Sequence, residues 1–296
     1  MPTRLQIARK DILRVFASHP LHVFRRRDIE AIRAAHRADW RLAQSTRVDE
    51  FIEYLTKSAK LKRLDFGFPY RTEIRYTWGE IPLQAVLLTL KPGCHFSHYT
   101  AVQMHELTEQ DSKTIYLNFE QPGKPAPPAG LRQDRIDAAF ARKPRVTSNV
   151  AGFGDLRICV VNGKGTGYLG VESRQVETGG DAGRIVVRVT DVERTLIDIA
   201  VRPFYAGGVG EVLKAYQRAG ARASVNRLAA LLKQLDYVYP YHQAVGFYLE
   251  RSGAFGPSAV ELFRGKFGYD FDFYLTYEMK ETRYDARWRL HVPKGF

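Results

Sequence analysis

The sequence predicts an α+β chain of two domains, and three observations carry that expectation. At 296 residues the chain exceeds the length at which a single hydrophobic core usually suffices. Its apolar periodicity is helical through residue 55 and then strand-like, and beyond residue 81 strands both precede and follow a helical block. Its positive charge is uneven. Residues 1–80 hold 17 Lys/Arg against 10 Asp/Glu, a net +7, leaving +6 of the chain's +13 for the other 216 residues. The expected division is 1–80 and 81–296.

In the first segment, Leu5, Ile12, Leu13, Val15 and Phe16 place an apolar face on a helix over 4–17. Pro20 ends it, because proline lacks an amide proton and constrains the residue before it. His22-Val23-Phe24 is extended and leads to Arg25-Arg26-Arg27-Asp28 and a second helix, with Ile29 and Ile32 inward. Ser45-Thr46-Arg47-Val48-Asp49 opens a third. Thr46 and Asp49 are spaced as a capping box, with Asp replacing the usual Glu or Gln. Val48, Phe51, Ile52 and Leu55 then repeat at helical spacing. Segments 61–66 and 74–78 are extended and flank a turn containing Gly67, Pro69 and Arg71. Helix, short strand, helix, helix and β-hairpin is the order of a winged helix–turn–helix.

The second segment is a mixed α/β domain. Pro82 suits the first turn of a helix over 83–90. Ser97 is the expected cap of a helix over 99–107, and 114–119 alternates as a strand. Residues 121–130 (QPGKPAPPAG) read as a loop. Segments 156–161 and 168–171 bracket Asn162-Gly163-Lys164-Gly165-Thr166-Gly167. That run lacks the ending of a phosphate-cradling loop and no helix follows, so a hairpin turn is expected. Residues 184–189 form a strand, and Thr190-Asp191-Val192-Glu193 is a capping box that opens a helix ended by Pro203. Helices follow at 209–218, 225–235, 242–251 and 258–263, with extended segments at 269–277 and 287–292.

A sequence pI near 9.7 favours a partner carrying phosphate. Hydrophobic residues make up 45%, enough for a core in each domain, which excludes global disorder. Cys94 and Cys159 form no C-x-x-C and no disulfide framework, so a reduced cytoplasmic setting is expected. The first residues carry no signal-like apolar region, and no apolar run of about 18 residues suits a bilayer. His95, His98 and His105 match no tetrahedral zinc spacing and read as structural, so no metal and no cofactor is expected. No nucleophile elbow is present, and an enzyme is not expected. The competing enzymatic reading is a Mg²⁺-dependent nuclease targeted by the winged helix. Asp270 and Asp272 ahead of Glu278-Met279-Lys280 would hold the metal through carboxylates while the lysine steadies a phosphate.

The third helix is the candidate for a major groove. With its apolar stripe turned inward, Gln44, Ser45, Thr46, Arg47, Glu50 and Tyr54 are left on the open side. Gln suits adenine, Arg guanine, and Ser or Thr either. Arg25, Arg26, Arg27 and Lys57 read as phosphate clamps, and Arg71 at the hairpin tip as a minor-groove contact. Farther on, Arg194, Asp198 and Arg202 lie at successive helical steps of four, so one carboxylate is expected to bridge two guanidinium groups.

Three ordered motifs resemble the AbiEi family of antitoxins. Ser97-His98-Tyr99-Thr100-Ala101 with His105-Glu106-Leu107-Thr108 resembles its first signature, Glu106 standing where a glycine is usual. Val192-Glu193-Arg194-Thr195-Leu196-Ile197-Asp198, followed by Arg202-Pro203 and Tyr205-Ala206-Gly207-Gly208, resembles its second. Residues 237–250 (YVYPYHQAVGFYLE) are similar to its third. The resemblance implies a type IV toxin–antitoxin or abortive-infection protein. Its N-terminal domain would repress its own operon at inverted repeats in double-stranded DNA. Its C-terminal domain would counter a nucleotidyltransferase-like toxin without an obligatory stable complex. It also implies that Ser97, His98, Tyr99, His105, Glu193, Arg194, Asp198, Arg202 and Tyr205 mark the antitoxin domain.

Overall fold

The computed structural model describes residues 2–122, 130–177 and 184–296; the loop expected over 121–130 lies outside them except at its ends. The chain divides into two compact units, one of Met1–Pro92, Ala151–Gly154 and Gln175–Val186, the other of Gly93–Val150, Asp155–Arg174 and Val187–Phe296. The first unit runs past residue 80 to Pro92. Arg75 explains the extension: its guanidinium donates to the carbonyls of Thr89 (2.9 Å) and Leu90 (3.1 Å), tying the segment after residue 80 to the strand before it.

The first unit contains α1 (Arg4–Ile7), α2 (Arg9–Ser18), β1 (Val23–Phe24), α3 (Arg26–Ala35), α4 (Val48–Ser58), β2 (Leu61–Phe68), β3 (Arg71–Trp78) and α5 (Leu83–Leu87). The single helix expected over 4–17 is two, because Ala8 departs from helical geometry at ψ 0°. A three-stranded antiparallel sheet has the order β1-β3-β2. Pairing from Leu61↔Trp78 to Phe68↔Arg71 makes the hairpin longer than expected. Pro69 and Tyr70 form its turn, and Gly67 and Arg71 belong to the strands. The helices and sheet close on Ile12, Phe16, Phe24, Ile29, Phe51, Leu55 and Trp78. Phe16 stacks on Trp78 with ring centroids 4.9 Å apart.

The second unit contains β4 (His95–Phe96), α6 (His98–Met104), β5 (Thr114–Gln121), α7 (Gln133–Phe140), β6 (Val150–Phe153), β7 (Leu156–Lys164), β8 (Val171–Glu177), β9 (Arg184–Thr190), α8 (Val192–Val201), α9 (Val209–Ala219), α10 (Val225–Leu235), α11 (Tyr241–Arg251), α12 (Pro257–Arg264), β10 (Phe273–Tyr274), β11 (Thr282–Asp285) and β12 (Leu290–Pro293); β6, β8 and β9 run partly into segments grouped with the first unit. The larger sheet has the order β6-β7-β5-β4-β9-β8. β7 lies parallel to β5, from Thr114↔Arg157 to Gln121↔Lys164. Residues 162–167 are therefore no hairpin turn: β7 and β8 sit on opposite sides of the β5-β4 pair, and the chain crosses over between them. A smaller three-stranded sheet has the order β10-β12-β11. Only Phe273–Tyr274 of the expected 269–277 segment pairs as a strand.

At the centre of this unit runs α8, buried from Glu193 to Val201 and surrounded by α6, α9, α10 and α11. The capping box expected at Thr190 does not form. Asp191 is the cap, accepting from the Arg194 amide at 2.7 Å. Thr190 turns its hydroxyl to Thr195 and Glu193 accepts from the Ser224 amide. Both units thus mix helix and strand, and the architecture is α+β. No helix among the described residues is long and apolar enough to cross a membrane.

Candidate functional site

Two places collect polar side chains. One is the outer face of α3 and α4. The stripe Val48, Phe51, Ile52 and Leu55 is buried, while Gln44, Ser45 and Arg47 are exposed and Thr46 is half-buried. The Thr46 capping box is replaced. The helix begins after Arg47, which caps it without a side-chain bond, and the Asp49 carboxylate instead takes two bonds from Arg26, both 3.0 Å. Arg33 fixes the turn before α4 by donating to the Thr46 carbonyl at 2.9 Å.

The expected clamps are not equally open. Arg26 is tied to Asp49, Lys57 to Glu53 (2.5 Å) and Arg71 to Glu73. Arg25 is half-buried and donates to the Thr89 carbonyl at 3.2 Å. Arg27 is exposed with Asp28 at 3.7 Å, and Arg47 makes no ion pair within the described residues. Tyr54 is not on the open side. It packs against the first unit's core, its hydroxyl enclosed without a partner. The exposed pairs are screened by solvent and weak, so a phosphate can exchange into them.

The other place is a polar pocket within the second unit, a cavity of about 50 Å³ bordered by His98, Asn118, Lys164, Arg194, Asp198, Arg202 and Tyr237 among others. The three motif stretches meet here: His98 comes from the first, Arg194, Asp198 and Arg202 from the second, Tyr237 from the third. Arg194 and Asp198 form an ion pair at 2.8 Å with side chains only 5% and 6% exposed. Burial by itself would raise the Asp198 pKa, but the Arg194 guanidinium outweighs it and holds the carboxylate below its ordinary range. The second guanidinium does not close the expected bridge. Asp198 Oδ2 is buried with no hydrogen-bond partner, and so is Asn118 Oδ1. An enclosed acceptor left empty costs about 1–3 kcal/mol, more when charged.

His98 enters α6 in the left-handed region, at φ +51°, a strain of order 1–3 kcal/mol that persists only when the surroundings over-determine it. Its Nδ1 meets Ser97 Oγ at 2.9 Å, and burial pushes its pKa down to about 3, so the ring is neutral. Gly163 permits the close approach of β7 to Asn118: a Cβ there would lie 2.6 Å from Asn118 Oδ1. Lys164 is exposed at the mouth and donates to the Asp236 carbonyl at 3.0 Å.

The remaining motif residues build the surrounding frame. His105 donates from Nε2 to the Thr190 carbonyl at 2.6 Å and accepts from Arg174 at Nδ1. Tyr99 reaches Thr108 (3.2 Å) and Tyr205 accepts the Thr147 amide at its hydroxyl (2.7 Å). Asn118, Lys164, Thr166 and Tyr237 were not singled out as site residues. The signals present are an asparagine inside an otherwise apolar strand, a Gly-Lys-Gly-Thr run and the first tyrosine of the third motif. The nuclease constellation does not assemble. Asp272 is held by Arg289 (2.9 Å) and the Tyr284 hydroxyl (2.7 Å), and no group of three or more His, Cys, Asp or Glu converges on a metal position among the described residues. Cys159 is buried, its thiol pushed up to about 11 by desolvation, and is unsuited to nucleophilic work.

No protein-family model matches the chain, and no curated protein matches it. Among solved structures it is similar to the RV2827C protein of Mycobacterium tuberculosis, at 15% identity and a TM-score of 0.58, over 99% of this chain and 92% of that one. At that identity the likeness is one of fold: both chains follow the same mixed α+β path over nearly their whole length.

Proposed function

We propose that the chain is a non-enzymatic DNA-binding regulator. In this reading its first unit is a winged helix–turn–helix that sets α4 in a major groove, and its second unit serves as the antitoxin of a type IV toxin–antitoxin pair. One observation carries the DNA reading: α4 buries Val48, Phe51, Ile52 and Leu55 while Gln44, Ser45 and Arg47 stay exposed around its N-terminus. The N-terminal residues of a recognition helix are the ones that meet base edges. The pairing of β1 with the β2–β3 hairpin supports the winged arrangement. Arg27, beside α4's Arg26–Asp49 tie, supplies phosphate contact. The antitoxin reading rests on the resemblance of the three motifs and on their meeting at one pocket. Operator DNA with inverted repeats and a nucleotidyltransferase-like toxin, in the cytoplasm and without an obligatory stable complex, are the partners this reading implies.

The test is duplex binding by the full chain, comparing the DNA upstream of its own gene with scrambled DNA of equal length. Arg47→Ala is expected to cut the specificity ratio by about tenfold or more, whereas Arg27→Ala weakens both duplexes alike. An unchanged ratio in Arg47→Ala defeats the recognition-helix assignment. Absence of duplex affinity even at low salt defeats the DNA reading. Separately, co-expression with a neighbouring nucleotidyltransferase-like frame should restore growth, and failure to do so removes the antitoxin role.

A further inference from the structure

The pocket around Asp198 makes two demands on whatever fills it. First, its two enclosed and unpartnered atoms, Asp198 Oδ2 and Asn118 Oδ1, are both acceptors. The Asn118 oxygen is assigned by its own amide: Nδ2 donates to His95 Nε2 at 3.3 Å, while His95 Nδ1 donates to the Gly93 carbonyl. The occupant must therefore carry a donor, and the charged Asp198 oxygen has the first claim on it. Second, Lys164, Arg194 and Arg202 border the pocket against the single carboxylate of Asp198, with His98 neutral. The occupant must also carry negative charge.

Few small groups satisfy both. A cation adds to the positive surplus. A neutral amide or alcohol leaves that surplus unmatched. A fully deprotonated oxyanion such as sulfate turns lone pairs toward the two acceptors. A phosphate that keeps one proton offers a P–O–H donor to a carboxylate and anionic oxygens to the cations, and the cavity has room for a group of that size. We propose that this pocket binds a singly protonated phosphate group, with Asp198 Oδ2 accepting its one P–O–H proton and Arg202 and Lys164 as the cations at its mouth. The source is free phosphate or the terminal phosphate of a monoester. The assignment is independent of DNA binding by the first unit.

The experiment titrates inorganic phosphate, sulfate and a nucleoside 5′-monophosphate into the full chain near neutral pH, reading heat and thermal midpoint. Phosphate should saturate and raise the midpoint, with sulfate weaker by about tenfold or more at equal ionic strength. Arg202→Gln should weaken phosphate by about tenfold. Asp198→Asn should bring phosphate and sulfate toward parity, because an amide N–H suits a deprotonated oxygen. Should Asp198→Asn fail to fold for want of its Arg194 partner, Tyr237→Phe and Arg202→Gln still report on the pocket. Tighter binding of the monophosphate assigns the group to a larger ligand; equal or weaker binding assigns it to free phosphate. A wild-type chain indifferent to phosphate, or responding equally to sulfate, overturns the proposal and leaves the pocket to water.

Discussion

Two residues of the first motif are held in left-handed backbone, and they lead to different expectations. His98, at φ +51°, is buried and neutral. Its ordinary pKa of 6.5 falls to about 3 on folding, so between those values the unfolded chain binds the extra proton. Stability from this group is complete above pH 6.5 and drains away as pH falls toward 3, by at most about 5 kcal/mol. His95, His105 and His242 are shifted in the same direction by burial, which steepens the loss. Denaturant unfolding from pH 7 to 4 checks this, and His98→Gln should lower the proton uptake by about one. Glu106, at φ +58°, is exposed and ends α6. The Leu107 amide bonds to the Val102 carbonyl and the Glu106 amide to Gln103, the pattern in which glycine is favoured at this position. Glu106→Gly should stabilise the fold by about 0.5–1 kcal/mol; a lower melting midpoint would contradict this.

At the scale of elements, packing depends on where backbones come close. On α11, a Cβ on Gly246 would lie 2.0 Å from the Trp288 ring, and Trp288 is fully buried. Gly246→Ala should cost about 1–3 kcal/mol or more through overpacking, while Gly246→Ala combined with Trp288→Leu should recover part of it, read by thermal unfolding. The α3–α4 tie makes a prediction of opposite character. Asp49 holds Arg26 on the proposed groove-facing side, so Asp49→Asn removes a negative charge and releases a cation. It should leave stability nearly unchanged, because the pair is solvent-screened, and raise affinity for any duplex. A loss of affinity would show that the pair orients α4 rather than masking it.

For the whole molecule, the uneven charge has a measurable consequence. With +7 in residues 1–80, and few of its expected clamps free of ion pairs, duplex affinity should fall with salt at a log–log slope of about −3 to −5. A slope near zero would assign the basic surface to another role. Gln44, Ser45 and Arg47 were legible because a buried stripe at helical spacing dictates which side of a helix is left over. Tyr54 was misplaced for the same reason: it sits at the stripe's edge, where the neighbouring helices decide burial. The capping boxes at Thr46 and Thr190 failed because a nearby partner, Arg26 in one case and Thr195 in the other, competed for the side chain.

Local pattern by itself determined most of the helices, the β2–β3 hairpin and the α+β class, since each follows from spacing and turn chemistry within one stretch of chain. Helix α7, with Ile136 and Phe140 as its buried residues among charges, was invisible on those terms. Tertiary structure alone decided that β7 pairs with β5 rather than β8, and that His98, Asn118, Asp198 and Tyr237 surround one cavity. Parallel pairing and a buried central helix join residues far apart in sequence, and no short-range periodicity encodes which distant stretch will be the neighbour.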